Sequence, residues 1–117
     1  MEPHDAPSAA ELLEAVREWL EGGFANGLTP SPFHARVAAN MLAIVERELS
    51  LGPEQAVRHR ERLGRFGVAD DADLAARIRS GQLDDRFDEV RELVWASVRD
   101  KLAVANPRYL ERREETA

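Results

Sequence analysis

The stretch Phe33 to Gly52, FHARVAANMLAIVERELSLG, decides the fold. At 3.6 residues per turn, Phe33, Val37, Met41, Leu42, Ile44, Val45 and Leu49 spread over about half of a helix circumference. Ala35, Ala39 and Ala43 form a ridge of small side chains at spacing four, along which another helix can approach closely. Only Arg36, Asn40 and Arg47 leave a polar strip. A helix this apolar is normally buried on most sides, so the segment is predicted to be the central helix of an all-α bundle. Ser31 is placed to cap it and Pro32 to occupy its first position, where a missing N–H costs nothing. The pair Gly52-Pro53 is expected to end it at about Leu51.

Working outward, Ser8 and Glu11 have the spacing of a capping box. They predict a first helix from about Ala9 to Leu20 with Leu13, Val16 and Leu20 inward, ended by Gly22-Gly23. A strongly charged third helix follows from about Glu54 to Arg65, with a thin apolar stripe of Ala56, Val57 and Leu63. Asp70, Asp71 and Asp73 precede a short helix containing Leu74 and Ile78. The longest remaining segment, capped by Asp84 or Asp85, runs to Asn106-Pro107. Nothing alternates as a strand does. The expected architecture is a single-domain all-α bundle of four to five helices over residues 8–109, between a flexible tail at 1–7 and a frayed tail at 110–117.

Composition narrows the function classes. The chain has 117 residues, no cysteine and a net charge of −6. Disulfide and thiol chemistry are therefore excluded, and a cytoplasmic location is expected. Neither a signal sequence nor a membrane span is readable. The acidic balance argues against nucleic acid as a partner. His4, His34 and His59 lack ligand spacing, so no metal and no cofactor are predicted. No nucleophile, base and orienting acid can be assembled from the serines, so no catalytic residue is assigned, and a reading with His34 as a general base ranks last. Arg58, Arg62 and Arg65 share a stripe, with Glu54 and Glu61 four residues before two of them, as in ordinary intrahelical pairs.

The single lysine stands out. In the segment from Phe87 to Asn106, the residues Phe87, Val90, Val94, Val98, Leu102 and Ala105 share one side, and Lys101 points with them. Its ammonium must reach water, find a carboxylate or bind an anion. Glu48, inside the apolar face of the second helix, is the candidate partner for a buried ion pair with Lys101.

FHARVAANMLAIVERELSLG and VRDKLAVANPRY (Val98 to Tyr109), with AAELLEAVREWLE near the start, resemble a bacterial family of short proteins carrying a domain of unknown function. The resemblance spans Ala9 to Tyr109, and RVAAN and KLAVANPRY are its specific strings. Members of that family are typically encoded beside aminoglycoside-phosphotransferase-like kinases and acyl-CoA dehydrogenases. The resemblance thus implies an accessory role and supplies no catalytic residues. Its strings contain His34, Arg36, Asn40, Lys101, Asn106, Arg108 and Tyr109, which would form one polar seam if the second and last helices pack together. The leading reading is a non-enzymatic accessory protein bound to such a kinase or dehydrogenase, with a homodimer through the same apolar surface as a further possibility. The alternative is a domain that binds a small acyl-CoA-like anion in the seam.

Overall fold

The computed structural model describes residues 4–25, 27 and 31–116. Among them every regular element is helical: α1 (Ala9–Ala25), α2 (Pro32–Arg65), α3 (Asp71–Arg79), a 3₁₀ turn (Asp84–Arg86), α4 (Phe87–Ala105) and α5 (Pro107–Thr116). No helix is long and apolar enough to cross a membrane. The all-α expectation holds, with five α-helices that are not the five expected.

Each start follows its capping chemistry. The Ser8 amide donates to Glu11 Oε1, and the Glu11 amide donates to Ser8 Oγ, which closes the reciprocal box. Ser31 Oγ accepts from the His34 amide at 3.2 Å, with Pro32 in the first turn. At α3, Asp70 Oδ1 accepts from the Asp73 amide at 2.8 Å and Asp73 Oδ2 accepts from the Ala69 amide at 3.1 Å. Glu11 and Asp73 are both held below their ordinary carboxylate values, chiefly because a backbone N–H, of Ser8 and Ala69 respectively, donates to the charged form. The expected cap at Asp84 or Asp85 is not what forms. Those acids lie in the 3₁₀ turn, and Arg86 precedes α4 without a side-chain cap.

The main correction concerns Gly52-Pro53, which does not end the helix. α2 is one element of 34 residues, roughly 50 Å long. Proline removes the N–H that would bond to residue 49 and disfavours a helical conformation at the residue before it by clashing with that residue's Cβ. Gly52 has no Cβ, which removes that part of the penalty. Continuation is also rewarded, because the next three turns bury Gln55, His59 and Leu63. α1 likewise runs past Gly22-Gly23 to Ala25.

A further helix, α5, spans Pro107–Thr116. Asn106 stops α4, and its Oδ1 then accepts from the Tyr109 amide at 3.3 Å, so the residue that ends one helix caps the next. Arg113 stacks over the Trp95 ring at 4.7 Å, which folds α5 back along α4.

The core lies where the sequence looked thinnest. Leu63, Phe66, Val68, Leu74, Leu83, Val90 and Leu93 form one buried cluster joining the end of α2 to α3 and α4. The N-terminal half of α2 was expected to be buried on most sides. Instead Val45 is its one buried residue before Glu48, and Phe33 and Leu49 are each 64% exposed. α1 and α4 both pack on α2. The resulting body measures 61 × 33 × 24 Å.

Candidate functional site

A polar ladder runs down the α2–α4 contact. Arg47 Nε donates to the Val104 carbonyl at 2.7 Å, which satisfies an end carbonyl of α4. Gln55, 2% exposed, donates from Nε2 to the Asp100 carbonyl at 3.0 Å, while its Oε1 lies 2.7 Å from His4 Nε2. Asp100 accepts from Arg62 Nη2 at 2.9 Å and from Arg58 Nη2 at 3.3 Å. The Glu54–Arg58 pair forms at 3.8 Å, whereas Arg65 enters no salt bridge among the described residues.

His59 is the most enclosed of these groups, at 1% exposure. Its Nε2 lies 2.8 Å from Asp71 Oδ1 and its Nδ1 3.2 Å from Ser97 Oγ. The carboxylate can only accept, so Nε2 carries a proton. Ser97 Oγ is also 3.2 Å from the Leu93 carbonyl. Its one proton serves either that carbonyl or a neutral Nδ1, and both contacts are satisfied together only when the imidazole carries two protons. The order Ser97–His59–Asp71 is that of an acyl-transfer triad, but the surroundings differ. Ser97 is in mid-helix, where neighbouring amides are committed to the i→i−4 ladder and cannot hold an oxyanion. Asp71 is half exposed and the imidazole is sealed. The geometry describes a clamp that ties α2 to α3 and α4.

This ladder was not readable from the sequence. Gln55 and His59 sit in the charged stretch that reads as a solvated face. The available signal was their spacing of four, which aligns them on one side with Leu63.

The predicted seam residues are distributed over several places. His34 is in the first turn of α2, with Nδ1 2.7 Å from Ser31 Oγ and its ring tilted against Trp19 at 6.3 Å. It borders a mainly apolar cavity of about 200 Å³ between α1 and α2, lined also by Val16, Trp19, Val37 and Met41. Arg36 and Asn40 line an open depression with Phe33, Val37 and Ala39. Neither makes a hydrogen bond or ion pair among the described residues. Lys101 lies well down the ladder from them, since its neighbour Asp100 faces residues 55–62 of α2. Its Nζ pairs with Asp5 Oδ1 at 3.2 Å. Among the described residues Glu48 enters no ion pair, so the expected Glu48–Lys101 bridge is replaced by Asp5–Lys101. Glu48 itself is buried at 6% exposure. Asn106 and Tyr109 meet each other at the α4–α5 corner, and Arg108 is exposed beside them. The structure thus brings together Arg36 with Asn40, and Asn106 with Tyr109, but not all seven.

A second cavity, of about 380 Å³, opens at the far end of α2 and is lined by Arg62, Arg65, Phe66, Arg86, Glu89 and Leu93 among others. Arg86 lies over the Phe66 ring at 4.2 Å and bonds Glu89. Arg62 Nε is buried without a hydrogen-bond partner among the described residues.

These features define an elongated all-α protein whose buried polar groups lock helices together. Residues 29–109 match the family described as Domain of unknown function (DUF6285), and the chain belongs to that family. No curated protein and no solved structure is similar enough to the chain to match it.

Proposed function

We propose that the protein is a non-enzymatic, cytoplasmic accessory protein that docks a protein partner on the N-terminal half of α2. The observation that carries this reading is the depression holding Phe33, Arg36, Val37 and Asn40, where Phe33 is 64% exposed. An exposed aromatic beside an arginine and an amide without partners has the composition of an interface anchor. Arg36 and Asn40 belong to the strings that carry the family resemblance. The partner class, a phosphotransferase-like kinase or an acyl-CoA dehydrogenase, comes from that resemblance and its bacterial gene neighbours.

Titrating a purified kinase-like or dehydrogenase chain from such a neighbourhood into this protein tests the reading. Phe33→Ser with Arg36→Glu is expected to weaken binding at least about tenfold, the scale of a lost hot spot, with helicity unchanged. Equal binding by the double variant, or no binding by the wild type, refutes it. The alternative, a small anion binder, would use the cavity where Arg65 stands with Arg62 and Arg86, beside Glu89 and Glu92, rather than the predicted seam. It requires acyl-CoA to bind and Arg65→Ala to weaken that binding.

A further inference from the structure

The other side of the α1–α2 hairpin carries a repeated pattern. α1 contains Leu13-Glu-Ala-Val16-Arg-Glu-Trp-Leu20, and α2 contains Leu42-Ala-Ile-Val45-Glu-Arg-Glu-Leu49. In both arms the valine is buried, Val16 at 7% and Val45 at 4%. In both arms the leucines three residues before and four after it stay exposed: Leu13 at 45%, Leu20 at 39%, Leu42 at 39% and Leu49 at 64%. At 100° per residue, Leu42 and Leu49 fall on the side of α2 opposite Phe33 and Asn40. With only six residues between the end of α1 and the start of α2, and Trp19 against His34 near the connected ends, the arms are taken as antiparallel, which puts Leu13 near the level of Leu42. In antiparallel arms, leucines that follow their buried valines with the same offset lie on the same face of the hairpin. Ala35, one heptad before Leu42, continues that face, which is opposite the side that holds α4.

Two helices cannot enclose a core, and this hairpin buries little beyond its two valines. We propose that a second copy of this chain covers the leucine face, so that two hairpins complete a four-helix bundle about a twofold axis. Three observations favour a second copy over another occupant. The face presents the same L-x-x-V-x-x-x-L pattern from both arms, so an identical hairpin returns matching leucine layers with the spacing that coiled-coil-like bundles use. The area is right as well: the chain exposes 8243 Å², whereas a compact monomer of its mass exposes about 6,400 Å². The surplus belongs to the elongated chain as a whole and leaves room for the roughly 800 Å² per partner of a stable interface. The rim carries both signs, with Arg17 beside Glu21 on α1 and Glu46 on α2. The inference is independent of the docking depression, which lies on the opposite side.

Sedimentation equilibrium of the full chain over a hundredfold dilution tests it. The expected result is a species of twice the 13.1 kDa chain mass, converted to monomer by Leu42→Glu with Leu49→Glu while helicity is retained. A wild type that stays monomeric throughout overturns the proposal, and so does a leucine variant that remains dimeric. Should that variant unfold, cross-linking decides, because the chain has no cysteine. Leu13→Cys and Leu42→Cys chains, alone and mixed, are expected to form interchain disulfides far faster than an Arg91→Cys control on α4. Equal rates overturn the proposal. Because these variants leave Phe33 and Arg36 intact, failure here is distinguishable from failure of the docking reading.

Discussion

Asp100 and Lys101 are adjacent and do opposite amounts of work. Asp100, 14% exposed, gathers Arg62 and Arg58, and the Arg62 side chain is 12% exposed. Replacing Asp100 by Asn leaves a mostly buried guanidinium short of its counter-charge, at a cost of about 3 kcal/mol. Lys101 and Asp5 are 36% and 79% exposed, so Lys101→Met is expected to cost less than about 1 kcal/mol. Denaturant unfolding of the two variants measures both values, and a reversed order would refute the ladder as the main fastening. A second expectation concerns acid. The Asp73 carboxyl is held below its ordinary 3.8 by the Ala69 amide. A depressed folded value adds stability that is present above the unfolded value and is lost as pH falls through the folded one. The start of α3 should therefore loosen below about pH 3.8, and Asp73→Asn should remove that pH dependence; proton-detected titration of the α3 amides reads it. The sequence identified Lys101 as unusual but did not point to Asp5, the carboxylate it meets. Asp5 is 96 positions away in an irregular segment, and no periodicity reports a contact of that kind. His59 was hidden for a different reason, since surrounding arginines and glutamates give a buried helix face the average polarity of an exposed one.

The elements were legible where local chemistry alone decides them. The starts of α1, α2 and α3 follow from Ser8 with Glu11, Ser31 with Pro32, and Asp70 with Asp73, all within one helical turn. Elements were misread where tertiary packing overrules a local breaker. Gly52-Pro53 stops an isolated helix, and here it does not, because the following turns bury Gln55, His59 and Leu63 against α4. If packing carries that burden, the proline is a residual cost and not a designed stop. Pro53→Ala is then expected to raise stability by about 1–3 kcal/mol by restoring an intrahelical bond, with unchanged ellipticity. Thermal melts followed by circular dichroism check this. A loss of stability would show that the bundle needs whatever bend the proline imposes. The same competition explains α5. Pro107 reads as a stop, and it is one for α4. It is equally a permitted first residue, and Arg113 on Trp95 supplies the tertiary contact that a charged tail alone lacks.

At the scale of the molecule, stability is unevenly distributed. The radius of gyration is 18.3 Å, against about 13 Å for a compact chain of this length. The buried cluster at the end of α2 includes Leu63, Phe66, Leu74, Val90 and Leu93, while the hairpin half is fastened mainly by Val16 and Val45. Leucines at i−3 and i+4 from those valines were read from sequence as core, and the structure corrects this: Leu13, Leu20, Leu42 and Leu49 are all exposed. In one chain alone there is nothing to bury them against. Local opening should therefore be cheapest in α1 and in α2 before Val45, where few apolar contacts would be broken. Amide exchange of a dilute sample is expected to be at least about tenfold faster across residues 12–22 and 34–44 than across residues 59–66 and 88–95. Raising the concentration should slow the first group and leave the second unchanged, because association adds contacts only to the hairpin and a ligand that binds the folded form raises its opening free energy by mass action. Exchange that is uniform along α2 at low concentration would show that the hairpin is stable by itself, and the exposed leucines would then need a different explanation.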